Sequence, residues 1–418
     1  MRKILIVVES IDVNSSSGAK GRMSLIKSLI ALGYGVKILH YTRKNIEIEG
    51  VDCISIKELK YNLLYVLSRT RRLVLRHFKV DLFSWVDSVF GFSFTYYNDS
   101  NSIAASIRKH YTDEDYIFTL SHGGNFKSHH AMLKFPKLYK KWVAYMHDPY
   151  PFHCYPKPYN WYEKGYEVKE QFIKDVSDKA EFSVFPSLLL MQWMGNYFPN
   201  FLKTGSVIPH QSYDLEIRNK RPLKLEYFDF NKFTILHAGN LLKQRQPQGL
   251  VEAYKLFLKK IPEAKQNSLL LLLGDASEHK EYLLEEKTKC SSLYCSMNYV
   301  SFDEANYVQE YASVNVILEA DADISPFLPG KFPHCVKSNS PIMSLAPEQS
   351  EVRRLLGLDY KYACRPSDST VISEFLIELY FLWKETPEKL KLNRPDIEGY
   401  LSTEFLQKQL NAMFKNEQ

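Results

Sequence analysis

The sequence predicts an α/β protein of two successive domains, each a parallel sheet with helical crossovers. Three observations carry this. The 418 residues exceed one ordinary hydrophobic core and suit two of about 200 residues each. Short, wholly apolar runs such as KILIVV (3–8) and LLLLL (269–273) have the character of strands buried on both faces, the condition of a parallel sheet. Amphipathic helical segments follow such runs both before and after a polar, aperiodic stretch at 211–232.

The first series opens with KILIVV, the loop VNSSSGAKG, an amphipathic helix over about 20–32 that stops at Gly33, and the strand VKILHYT (36–42), together a βαβ unit. Gly18, Ala19 and Lys20 lie in that loop. It has neither a GxGxxG nor a Walker pattern, so it reads either as a ligand-contacting loop or as a plain turn. Residues 57–97 then break the alternation. KELKYNLLYVLSRTRRLVLRHFKV carries seven Lys/Arg against one Glu, and DLFSWVDSVFGFSFTYY follows with seven aromatics. Such a segment either lies on an anionic membrane or packs as a helical hairpin with a solvated basic face.

Strands resume with YIFTL (116–120), ending in SHGGNFKSHH, and KWVAYMHD (141–148), ending in His147-Asp148-Pro149. FSVFPS (182–187) and GSVIPH (205–210) complete the first domain, 1–212. Ligands of open α/β sheets sit at the carboxyl ends of strands, which places Ser121, His122, His147 and Asp148 at one crevice. A linker at 213–232 follows, and the second domain, 233–395, repeats the pattern. Its strands are FTILHAG (233–239), SLLLLLGD (268–275), YVSF (299–302), VNVILEAD (314–321) and SPIMSLA (340–346), with a helix at GLVEAYKLFLKKI. The tail 396–418 is expected to be one amphipathic helix packing back on the first domain. Two such domains imply a cleft between them.

Within 319–351, Pro326 and Pro329 stiffen a loop that leads into a short helix near Gly330–Lys331. The helix start and the Lys331 charge together suit a phosphate, although a solvated lysine has the same sequence signature. Composition excludes several classes. With 45% apolar and 24% charged residues the chain is of soluble globular type, and a net charge of +6 tolerates anionic ligands without requiring them. No nucleic-acid motif is present, the six Cys are too dispersed for a zinc site, and no run nears the roughly 18–20 apolar residues of a membrane span. The start reads as a first strand and not a signal peptide, so the expected location is cytoplasmic, soluble or peripheral at the inner face of the plasma membrane.

In order and spacing, these elements resemble the GT-B glycosyltransferases, two Rossmann-like domains facing a cleft, and within them retaining family 4 and its bacterial polysaccharide-synthesis branch. ILHAGNLLKQRQPQGLVEAY resembles the family's strand–G-x-x-x-x-x-K/R–helix element, LLLLGD its second strand, and SPFLPGKFPHCVKSNSPIMSLAPEQSE its donor loop. MHDPYPFHCYPKPYNW is similar to a stretch of that branch before the first domain ends. The resemblance implies a UDP- or GDP-sugar donor and a saccharide or lipid-linked saccharide acceptor, in lipopolysaccharide or capsule synthesis. It places Gly18, Ala19 and Lys20 over the donor, and Gly239, Lys243, Arg245, Gly274, Ser325, Phe327 and Lys331 around it. Glu351 falls near the ribose position, and His147 faces the reacting sugar with Asp148 beside it, holding the imidazole, the acceptor, or simply a helix end. The family's paired Glu residues fall here on Pro326 and His334, which makes His334 the position where sugar preference would be read. Asn240 stands where an Arg is common.

The resemblance further implies a metal-free reaction with retention, the leaving phosphate helping to deprotonate the acceptor. Asp321-Ala322-Asp323 matches a D-x-D metal motif formally, but in the wrong domain for that use. No cofactor or metal is expected. A catalytically inactive relative that only binds, suggested by the missing Glu pair, and a sugar-nucleotide epimerase are the alternatives.

Overall fold

The computed structural model describes residues 2–13, 17–42, 44–212 and 223–415. The chain forms two compact units, Met1–Gln211 with Thr403–Gln418, and Ser212–Ser402. In the first unit the strands are β1 (Lys3–Val8), β2 (Gly35–His40), β3 (Asp52–Ser55), β4 (Tyr116–Leu120), β5 (Trp142–Tyr145), β6 (Phe182–Phe185) and β7 (Gly205–Val207). They pair in parallel in the order β3-β2-β1-β4-β5-β6-β7, so chain direction across the sheet reverses between β1 and β4. Ile4 to Val8 are fully buried because helices cover both faces.

The helix α1 spans Ser17–Ala31, earlier than the sequence pattern suggested. Gly18, Ala19 and Lys20 therefore form its first turn and not a loop, and Ala19 is fully buried. Asn14 to Ser16 of the expected loop lie outside the described residues. Residues 57–97 become α2 (Leu63–Phe78), α3 (Ser84–Phe90) and the start of α4 (Phe94–His110). Asn62 caps α2 by accepting from the Tyr65 N–H at 2.8 Å. The basic face of this hairpin is partly spent internally. Arg71 forks onto Asp81 and Asp87 at 2.6 Å each, and Arg69 meets Glu58 at 2.8 Å.

In the second unit the strands are β8 (Phe233–Ala238), β9 (Ser268–Leu273), β10 (Leu293–Cys295), β11 (Val314–Leu318), β12 (Ile324–Ser325), β13 (Ile342–Leu345), β14 (Gln349–Ser350) and β15 (Ala363–Cys364). Six of them form a sheet ordered β10-β9-β8-β11-β13-β15, reversing between β8 and β11, while β12 pairs with β14. The expected strand YVSF is not one. Ser301 accepts from the Glu304 N–H at 3.2 Å and caps the helix Phe302–Tyr311, and the short β10 takes the edge of the sheet instead. Residues 213–222 of the expected linker lie outside the described residues. Its remainder packs on the second unit, with Tyr227 stacked on Tyr294 at 4.3 Å and Phe228 buried. The tail is two helices. Pro395–Tyr400 stays with the second unit, burying Ile397 beside Leu328 and Phe332. Thr403–Lys415 joins the first, where Phe414 stacks on Tyr116 at 3.5 Å.

Candidate functional site

The second unit gathers its polar residues where the sheet reverses, at the carboxyl ends of β8 and β11, the crevice in which open α/β sheets bind ligands. β8 delivers His237 and then Gly239, and β11 delivers Glu319. Lys331, just ahead of the helix Phe332–Lys337, reaches back so that its Nζ lies 3.1 Å from Nδ1 and 3.3 Å from Nε2 of His237. His237 is wholly buried, and burial together with the Lys331 and Arg245 charges holds its pKa well below the usual histidine range. A neutral ring has one N–H. Given to the Val316 carbonyl, 3.2 Å from Nδ1, it leaves Nε2 to accept from the Lys331 ammonium.

The carboxyl of this corner is biased toward its neutral form. Burial pushes Glu319 up to about 7, although the Ser325 hydroxyl and the Arg245, Ser350 and Lys331 groups pull it back. Neither Glu319 oxygen has a hydrogen bond of good geometry among the described residues. Burial, with Arg245 nearby, likewise pushes Lys331 down to about 7. Gly239 has φ +156°, and a Cβ there would stand 3.0 Å from Lys331 Nζ. Gly274 has φ +139°, and a Cβ there would meet the Gly239 carbonyl oxygen at 2.6 Å. Both positions require the bare backbone that lets a ligand approach closely.

Of the residues anticipated for this site, Gly239, Gly274, Arg245, Lys331 and Ser325 converge. Lys243 is exposed and makes no hydrogen bond or ion pair among the described residues. Phe327 is half-buried on the loop. His334 packs its ring 5.3 Å from Phe302 and is 9% exposed. Glu351 is wholly buried, and Arg354 binds both its oxygens at 2.8 and 3.0 Å. Asp321 is held by Arg365 at 2.9 Å and Ser367 at 2.5 Å, and no group of three His, Cys, Asp or Glu suited to a metal occurs among the described residues. Sequence reasoning missed His237 and Glu319. Their one signal was a polar residue near the carboxyl end of an otherwise apolar strand.

The first unit has its own cluster at the β1/β4 reversal. Glu9 follows β1, and the α1 residue Arg22, 1% exposed, donates from Nε to the Ser10 carbonyl at 3.0 Å and from Nη1 to the Ser121 carbonyl at 3.4 Å. Burial lowers Arg22 to about 10 despite the Glu9 and Asp148 charges. Ser121, after β4, accepts the His147 backbone N–H at 2.9 Å and lies 3.2 Å from its Nδ1. The His147 ring stacks on Tyr145 at 4.2 Å, with His210 at 5.9 Å. Burial, then the neighbouring His210 and Arg22, hold its pKa well below the ordinary value, so the ring is neutral. With the Ser121 hydroxyl proton directed at Nδ1, the ring hydrogen sits on Nε2, a donor available to a ligand. The structure thus joins Ser121 to His147 directly, brings the Asp148 charge within reach of Arg22 and Tyr155, and adds Glu9, Arg22 and His210, which sequence reasoning did not single out.

Both units together have the GT-B fold of two parallel-sheet domains, the class that the fold defines. No protein-family model and no curated protein sequence matches the chain. Among solved structures, a sucrose-phosphate synthase from Thermosynechococcus elongatus is similar over 100% of both chains with a TM-score of 0.65 at 12% identity. The N-terminal domain of a Candida albicans trehalose-6-phosphate phosphatase matches over 98% of this chain and 97% of its own, TM-score 0.65, at 14% identity. Anabaena HepE, solved with UDP and glucose, matches over 100% of both chains, TM-score 0.58, at 10% identity.

Proposed function

We propose that the protein is a glycosyltransferase that moves a sugar from a UDP- or GDP-sugar to a saccharide or lipid-linked saccharide acceptor, with retention and without a metal, in cell-surface polysaccharide synthesis. The observation that carries the reading is the Lys331, Arg245 and Gly239 corner at the β8/β11 reversal, a cation seat whose carboxyl neighbour, Glu319, is biased toward its neutral form. HepE, of the same fold, binds UDP and glucose, which supports a nucleotide-sugar as the anion. Motif order and spacing support the family 4 reading.

Transfer breaks the bond between the anomeric carbon and the diphosphate oxygen, and the electron pair goes to the diphosphate. Protonated Lys331 and the Arg245 fork neutralise that charge as it forms, the task a metal performs elsewhere. On the same face the acceptor oxygen bonds the anomeric carbon while its proton passes to the departing phosphate. His147, neutral with hydrogen on Nε2, donates to a sugar hydroxyl and removes no proton. The acceptor belongs to the first unit. Exposed Leu63, Val66, Leu73, Phe78, Leu82 and Trp85 on α2, α3 and the turn between them support a peripheral position at the cytoplasmic face of a membrane; no helix among the described residues is long and apolar enough to cross one.

The test is slow hydrolysis of radiolabelled UDP- and GDP-sugars, expected for at least one donor and lost in Lys331→Ala and Arg245→Ala. Unchanged activity in both variants would sink the seat. The rival reading, a nucleotide-sugar-binding protein without activity, draws on Glu351 being closed by Arg354. It predicts donor binding with no hydrolysis of any sugar.

A further inference from the structure

A cavity of about 780 Å³ opens at the carboxyl rim of the first unit's sheet, lined among others by Lys44, Ser55, Lys57, Leu59, Lys60 and Tyr61. It lies where β3 ends and α2 begins, on the same rim as Ser121 and His147 but at the sheet's far edge. The 16-residue α2 starts there with no acidic side chain in its first turn, so its dipole faces the cavity uncompensated by charge. Glu58, the one acid among the described lining residues, is already bound by Arg69. Lys44 is drawn toward Asp12, whereas Lys57 and Lys60 are exposed and form no ion pair among the described residues.

Immediately beside the cavity, α2 exposes an apolar stripe at helical spacing. Leu63 is 71% exposed, Val66 56% and Leu73 56%. Charge and apolar surface thus abut in one direction, cationic at the helix start and greasy along its length. That order matches an amphiphile with a phosphate at one end of a long hydrocarbon chain.

We propose that this cavity is a subsite for a lipid-linked phosphate or diphosphate, with the phosphate on Lys57 and Lys60 and the chain along Leu63, Val66 and Leu73. The proposal rests on the glycosyltransferase reading, of which it names the acceptor. Four strand spacings separate β3 from β5 in the sheet order, roughly 19 Å, which fixes the acceptor's reach. A saccharide anchored at Lys57 and presented to His147 spans several sugar units, not one.

The test is co-sedimentation of the full chain with phosphatidylcholine vesicles that carry undecaprenyl phosphate, plain phosphatidylcholine vesicles, and phosphatidylglycerol vesicles. Binding is expected on the first set well above the second. In the Lys57→Gln/Lys60→Gln double variant it should weaken by about thirtyfold, roughly fivefold per lysine. Both lysines are exposed, so the variant keeps its fold, which circular dichroism checks. Leu63→Ser/Val66→Ser should weaken the same binding without changing any residual response to inorganic diphosphate. Unaltered binding in the lysine variant, or an equal loss on phosphatidylglycerol vesicles, overturns the subsite, the latter in favour of a general anionic surface. Vesicle binding that Leu63→Ser/Val66→Ser leaves unchanged overturns the lipid and leaves the phosphate as the only group recognised. Donor hydrolysis by the unaltered protein, run in parallel, separates the two readings: vesicle binding without hydrolysis retains the subsite and rejects the transferase.

Discussion

The Lys331 ammonium rests within 3.1 Å of His237 Nδ1 and 3.3 Å of Nε2, against a ring that burial keeps neutral. A lysine so placed is held in position but not neutralised by the ring, which suits the proposed diphosphate seat. Its charge is accordingly conditional. Lys331 is depressed to about 7, so the seat is cationic below that pH and loses its proton as pH rises through it. Glu319, raised to about 7, gains negative charge over the same range, and both changes oppose a bound diphosphate. UDP affinity, measured by calorimetry, should fall between pH 6 and pH 8.5, and with two protons linked to binding the slope above 7 approaches at most about a hundredfold per unit. Lys331→Met should bind weakly with a shallower profile. A wild-type affinity flat across this range would contradict the assignment.

His237→Phe keeps ring volume but removes the acceptor that holds Lys331. We expect donor KM to rise by about tenfold, with a loss of stability of about 1–3 kcal/mol from stranding a buried hydrogen-bond donor. A fall in kcat with KM intact would instead place His237 at the reacting atoms.

His147→Ala removes the donor aimed from β5 and should lower kcat by about a hundredfold, the scale of one preorganised donor. Ser121→Ala acts through His147 by releasing its tautomer, so about a tenfold loss is expected, without a change in the pH of half-maximal activity. Equal losses in the two variants would assign Ser121 a direct role.

Gly274→Ala forces a side chain into positive φ and into the Gly239 carbonyl 2.6 Å away. It should destabilise the second unit by about 1–3 kcal/mol and weaken UDP binding, both read by denaturant titration with and without nucleotide. Stability equal to wild type would show that the two turns are free to separate.

Arg71→Met strands Asp81 and Asp87, since one guanidinium serves both carboxylates. Protease nicking between α2 and α4 should accelerate in this variant, and Asp81→Asn/Asp87→Asn on the same background should reverse it. If nicking is unchanged, the fork contributes nothing to the hairpin.

Much of this molecule was legible in the sequence. Runs such as KILIVV and SLLLLL have the character of strands covered on both faces, and their alternation with amphipathic helices pointed to two parallel-sheet units. Lys331 was singled out from the residues, as a cation near a helix start, whereas Gly239, Gly274 and Arg245 were singled out through the resemblance of whole motifs. Elements with no strong local period were not: β3, β10 and β15 are short edge strands, and YVSF lost its strand character to a Ser301 cap. Gly18 to Lys20 read as a loop because glycine weakens a helix locally, yet Ala19 packs into the core and draws the first turn of α1 into order.

What only the tertiary structure decided is which polar groups share a corner. His237 and Lys331 are 94 residues apart, and Glu319 reaches them from a third element, so no spacing rule joins them. Glu351 looked available as a carboxylate until folding placed Arg354 across it, and Arg71 looked like membrane charge until two aspartates closed on it. The physical reason is the same each time. A residue type records what a side chain is able to bind, and burial and neighbours determine whether that capacity is already satisfied.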